Sequence, residues 1–157
     1  MVVIGVGNRF RSDDGAGLKV ARLLSDRPEA AALRVREEEG EPVALLDAWD
    51  GERVAVLVDA VSSGAPPGTI HRVDASTEAL PASLRGSSST HAVSVAEAIE
   101  LGRALGRLPS RVVVYGVEGA EFAAGTELSD AVASVIDELA DRVLREAIEL
   151  EAASTEP

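Results

Sequence analysis

The sequence predicts a single α/β domain, a three-layer sandwich in which a five-stranded, mostly parallel mixed sheet carries helices on both faces. Three observations lead there. Short apolar runs at 2–6, 54–61 and 111–117 read as strands covered on both sides. Segments with apolar residues every three or four positions stand between them, as helices laid on a sheet would. The 157 residues, 46% of them hydrophobic, supply one core. The domain is assigned to residues 1–150, and 151–157 are expected to fray as a tail.

The first strand, Val2 to Val6, opens into the glycine turn Gly5-Val6-Gly7-Asn8. From about Asp14 to Ser25, Leu18, Ala21 and Leu24 share one helical stripe while Lys19 and Arg22 face outward. A second short strand, Ala32 to Glu37, leads to a brief helix over Val43 to Asp50, with Pro42 near its first turn. Residues 54–61 form the central strand, interrupted by one carboxylate, Asp59. After the loop Ser62–Gly68, Thr69 to Val73 makes a fourth strand, and the short connection favours an antiparallel pair over a right-handed crossover. Residues 75–91 are weakly structured and end in Gly86-Ser87-Ser88-Ser89-Thr90, suited to a binding loop. Ser94-Val95-Ala96-Glu97 has capping-box spacing, which starts the next helix just after Ser94 and leaves His91 ahead of it. A strand at 111–117, a loop over 116–125 and a terminal helix from Ser129 to about Leu150 complete the chain.

Composition narrows the chemistry. A net charge of −12 argues against nucleic acid or an anionic membrane as partner. Cysteine is absent, which removes thiolate nucleophiles and sulfur-ligated metal sites. With only His71 and His91, a three-histidine metal centre within one chain is impossible, so a metal site must be mostly carboxylate. The opening MVVIGVGN lacks a basic n-region and no run of 18 apolar residues occurs, so the cytoplasm is the expected location; a monomer is the expected state, though nothing in the residues fixes it.

In a sheet of this kind the carboxyl ends of the strands form the binding edge. Asp13 and Asp14 after the first strand, Asp59 at the end of the third and the loop carrying His91 all fall there. Each has a plain alternative: one of Ser12, Asp13 and Asp14 capping the helix, Asp59 accepting N–H groups from Ser62-Ser63-Gly64, His91 solvated in its loop. His71 reads as a surface side chain outside the binding edge. A dinucleotide site is disfavoured, because G-x-G-x-x-G fails at Phe10 and two acids occupy the place of a pyrophosphate. Two carboxylates and an imidazole suit a borderline divalent ion such as Ni²⁺ or Zn²⁺. A metal-free acid protease would need Asp14 and Asp59 to share a proton.

Taken in order, these motifs resemble the maturation endopeptidases of nickel–iron hydrogenases over nearly the whole chain. Gly5-Val6-Gly7-Asn8 with Ser12-Asp13-Asp14-Gly15-Ala16-Gly17, Val58-Asp59-Ala60-Val61 with Pro67-Gly68-Thr69, Ser89-Thr90-His91-Ala92-Val93-Ser94, and Tyr115-Gly116-Val117-Glu118 with Gly125 and Leu128-Ser129 carry the likeness. The resemblance implies that Asp14, Asp59 and His91 bind nickel and serve the catalytic site, with no organic cofactor. It implies as substrate the precursor of a hydrogenase large subunit, whose C-terminal extension is removed once nickel is inserted. The nickel would then arrive on the precursor's own cysteines. Many relatives carry Glu where this chain has Asp14, so Asp13 competes for the role, and a non-catalytic metal- or protein-binding module of the same fold is the alternative.

Overall fold

The computed structural model describes residues 1–85 and 90–155, the side chains of 85, 90–94 and 155 excepted. Along the chain run β1 (Val2–Val6), a 3-10 turn over Ser12–Gly15, α1 (Ala16–Ser25), β2 (Arg34–Glu38), α2 (Pro42–Trp49), β3 (Val54–Val61), β4 (Ile70–Asp74), α3 (Ala82–Arg85), α4 (Thr90–Ala104), β5 (Arg111–Glu118), α5 (Asp130–Ala133) and α6 (Ile136–Thr155). The sheet order is β2-β1-β3-β5-β4, with all pairs parallel except β4 against β5. This is the predicted five-stranded mixed sheet. The reversed direction of β4 agrees with its short connection, but its neighbour is β5 and not β3. The reason is burial: β5 is covered on both faces from Val112 to Glu118 and needs an interior place, whereas β4, with an exposed Arg72, suits an edge.

Alternation along the strands sorts the core into two layers. Val3, Val56, Val58, Val113, Tyr115 and Val117 pack under Val20 and Leu24 of α1 and Leu139, Val143 and Ala147 of α6. Val2, Ile4, Ala55, Leu57, Val112 and Val114 face Leu45, Leu46 and Trp49 of α2 and Val95 and Ile99 of α4. Trp49 is fully covered because its indole N–H finds the Arg107 carbonyl at 3.0 Å. No helix among the described residues is long and apolar enough to cross a membrane.

Helix ends depart from the sequence-based expectation in three places. α4 begins at Thr90, so His91 lies in its first turn and the capping box at Ser94 goes unused. The Gly/Ser breaker stretch ends at Ser89 and nothing in Thr90-His91-Ala92-Val93 halts a helix, while a cap is worth only about 1 kcal/mol. The terminal helix is interrupted after α5, whose Ser129 cap accepts the Val132 N–H. It then continues to Thr155, because Arg53 holds the Ser154 carbonyl at 2.9 Å, and residues 151–155 are helical where fraying was expected. Residues 156–157 lie outside the described residues.

The seat of α1 on the sheet depends on glycine. A Cβ at Gly17 would stand 2.2 Å from the Val58 carbonyl oxygen and 2.5 Å from that of Val6. One at Gly5 would stand 2.2 Å from the Gly17 carbonyl oxygen. Both obstacles are backbone, so Gly17→Ala must lift the helix off β1 and β3. The expected cost is about 3 kcal/mol or more, a fall of roughly 6–12 °C in a thermal melt.

Candidate active site

The site starts where β1 ends. A Cβ at Gly7 would lie 1.9 Å from the Asp14 carbonyl oxygen, and the residue takes φ +151°, so only glycine lets the 3-10 turn close against the strand. Within that turn Ser12 adopts a left-handed φ of 54°. It is held there by its N–H on the Gly125 carbonyl and its hydroxyl on the Ala123 carbonyl, both at 2.9 Å. Strain of this kind persists only where the surroundings impose it.

The consequence is that Asp13 and Asp14, adjacent and both buried, serve different partners. Asp13 accepts N–H groups of Ala120 at 2.7 Å, Glu121 at 2.9 Å and Ser129 at 2.7 Å, and the Ser129 hydroxyl at 2.8 Å. It rivets the loop between β5 and α5. Asp14 accepts the Asn8 N–H at 3.2 Å and has the Arg11 guanidinium at 3.9 Å. No side chain of Ser12, Asp13 or Asp14 caps either the 3-10 turn or α1, so the capping alternative does not hold. Asn8 accepts the Phe10 N–H at 2.9 Å and shapes the turn, while Arg9 stacks over the Phe10 ring.

Asp59 follows Ala55 and Leu57 in the alternation of β3 and faces the α4 side of the sheet. The residue is 2% exposed, in a pocket lined by Val61, Leu80, Leu84, Val95, Val114 and Gly116. Among the described residues no hydrogen bond reaches either of its oxygens. Burial, and after it the charge of Asp14, hold this carboxyl well above the usual carboxylate range. The Ala60 N–H is near enough to oppose the shift slightly, without hydrogen-bonding geometry. This setting favours the protonated form of Asp59 in the free protein, and a cation brought beside the pair would favour release of that proton.

The structure thus brings Asp14 and Asp59 together. The third sequence candidate, His91, lies one helical turn before Val95 of the Asp59 pocket, and its side chain is outside the described residues. Among the described residues no three His, Asp or Glu side chains form a metal-holding group.

Two polar residues of this edge were missed or misplaced by sequence reasoning. Glu118, at the end of β5, is 1% exposed and takes the Ser63 N–H at 3.1 Å, so the turn that was to satisfy Asp59 serves another acid. His71 is not a surface side chain outside the edge: because β4 runs backwards, its first residues lie beside the ends of β3 and β5, and His71 meets Glu118 at 3.0 Å. An acid closing an otherwise apolar strand was the available signal for Glu118, the same signal that singled out Asp59.

Comparisons with known proteins agree with this architecture. A curated hydrogenase expression/formation protein, HupD of Thiocapsa roseopersicina, is 30% identical over 125 residues, 78% of this chain and 55% of the relative. HoxM of Cupriavidus necator, described in the same words, is 27% identical over 78% of this chain and 60% of its own length. The chain thus spans little more than half the length of these curated relatives. The solved hydrogenase maturating endopeptidase HybD from E. coli superposes with a TM-score of 0.75 at 22% identity, covering 98% of this chain and 93% of its own. The HybD maturation protease from Thermococcus kodakarensis gives 0.68 at 25% identity, over 95% and 97%. A family model described as HycI, hydrogenase maturation protease, matches residues 40–146, a segment that holds Asp59 and His91 and leaves Asp14 outside. With more than half its length matched, the chain belongs to the hydrogenase maturation protease family.

Proposed function

We propose that the protein is the endopeptidase that removes the C-terminal extension of a nickel-loaded hydrogenase large-subunit precursor, reading the nickel through Asp14, Asp59 and His91. The observation that carries this reading is Asp59. A carboxyl buried without hydrogen-bond donors costs stability, and such groups cluster where a charged ligand is received. Asp14 beside it raises that cost further in the free protein and doubles the attraction for a divalent ion. Carboxylate oxygen and imidazole nitrogen both suit a borderline ion such as nickel. The chain has no cysteine, so the thiolates that hold the metal come with the substrate.

In this reading the nickel of the precursor positions the scissile bond and polarises its carbonyl. Asn8 and Arg11 keep the Asp14 carboxylate directed at the site. Asp59 gives up its proton as the cargo docks, then takes one from the attacking water and returns it to the departing amine as the C–N bond breaks. The apolar walls from Leu80, Leu84 and Val95 keep bulk water off that proton.

Incubating the purified protein with nickel-loaded and nickel-free precursor, then weighing the large subunit intact, tests the proposal. The expected result is loss of a C-terminal peptide from the loaded sample alone. Binding without cleavage would leave a non-catalytic module of the same fold. Equal cleavage of the nickel-free precursor would leave a metal-free protease in which Asp14 and Asp59 share a proton.

A further inference from the structure

Beside Asp59 the same sheet edge holds a second polar arrangement that the proposed metal chemistry does not use. Glu118 accepts the Ser63 N–H at 3.1 Å, the Ser63 hydroxyl and, at 3.0 Å, Nε2 of His71. Its backbone clamps the loop between β3 and β4 as well: its N–H donates to the Thr69 carbonyl at 2.9 Å and its carbonyl accepts the Gly68 N–H at 2.8 Å. With the carboxylate as acceptor Nε2 carries a proton, and in the neutral imidazole that leaves Nδ1 as the acceptor. Among the described residues nothing hydrogen-bonds Nδ1, and a quarter of the side chain is exposed. A buried carboxylate that fixes the tautomer of a partly exposed imidazole is how proteins aim a histidine at a ligand.

Its place in the sheet says which ligand. Asp59 pairs with Gly116, and Gly116 pairs with His71, so the three occupy one row across β3, β5 and β4. Residues in one row face the same side of a sheet, and the middle one has no side chain. Two strand spacings separate Asp59 from His71, roughly 10 Å, which an extended peptide covers in about three residues.

We infer that His71, held by Glu118 and Ser63, is a substrate-docking residue of the cleavage site: Nδ1 accepts a backbone N–H of the precursor about three residues from the group that faces Asp59. This rests on the endopeptidase reading above.

The discriminating variant is His71→Gln, whose amide still donates to Glu118 from near the Nε2 position but offers no acceptor at Nδ1. Steady-state cleavage of the nickel-loaded precursor is measured alongside a thermal melt. The expected result is a Tm within about 2 °C of wild type, kcat within twofold, and KM raised about tenfold. A merely structural His71 would be rescued by Gln, and wild-type KM in a folded His71→Gln protein overturns the inference while leaving the endopeptidase intact. If His71→Gln does not fold, Glu118→Gln decides: it keeps an acceptor for Ser63 but no longer imposes the tautomer, so KM rises at least threefold, and an unchanged KM overturns the inference. A wild-type protein that does not cleave at all defeats the function proposed above, a failure visible before any variant is made.

Discussion

Asp59→Asn is expected to end processing and to make the free protein more stable. The amide keeps the size of the side chain and removes a buried carboxyl with no hydrogen bond to either oxygen among the described residues. Because the folded state holds this group above the ordinary carboxylate range, its contribution favours folding below that range. It is lost as pH rises through the raised value, where ionisation must occur inside an apolar pocket. Asn has no such dependence. The variant should therefore match wild type most nearly in a melt at pH 3, below the unfolded carboxyl value, and exceed it at pH 8 by about 1–3 kcal/mol, roughly 2–12 °C. Processing should fall by about 10²–10⁴-fold or more, the range for loss of a proton-transfer group. A variant that melts below wild type at both pH values would show that the carboxylate makes stabilising bonds in solution.

That trade of stability against activity was legible in the sequence only in part. β3 stands out as seven apolar residues broken by one acid, and any sheet that buries such a strand on both faces must bury the acid with it. The strands β1 and β5 are legible for the same reason. What escaped is set by contacts distant along the chain. Nothing local to Ile70–Asp74 says that β5 will enter between it and β3, so His71 could not be assigned to the edge that Asp59 occupies. Helix starts escaped for the opposite reason: the Ser94–Glu97 pattern is a local preference of small worth, and the helix ran through it. The division of labour between Asp13 and Asp14 was equally hidden. Adjacent residues of the same type differ only in direction, and direction here is imposed by the left-handed Ser12, whose partners Ala123 and Gly125 lie more than a hundred positions away.

Asp13→Ala and Asp14→Ala should for that reason fail in different ways. Removing the Asp13 carboxylate strands three backbone N–H groups, those of Ala120, Glu121 and Ser129, along with the Ser129 hydroxyl. Each orphaned donor in a buried setting costs about 1–3 kcal/mol, partly recovered if water enters. A net loss of about 4 kcal/mol would lower Tm by roughly 8–16 °C. Removing the Asp14 carboxylate takes away the Asn8 contact and the looser Arg11 pair, and it also relieves the repulsion against Asp59. Relief of that repulsion offsets the lost contacts, so the stability cost is about 1 kcal/mol, yet the site loses one of its two carboxylates and processing should stop. Asp14→Glu restores the charge and should restore processing, since the resemblance places Glu at this position in many relatives. Melts of the three variants, with intact-mass time courses on the nickel-loaded precursor below the lowest Tm, separate the two roles. If Asp13→Ala instead melts like wild type and fails to process while Asp14→Ala processes normally, the two acids have exchanged roles. The site must then be rebuilt around Asp13, with the loop between β5 and α5 as part of its wall.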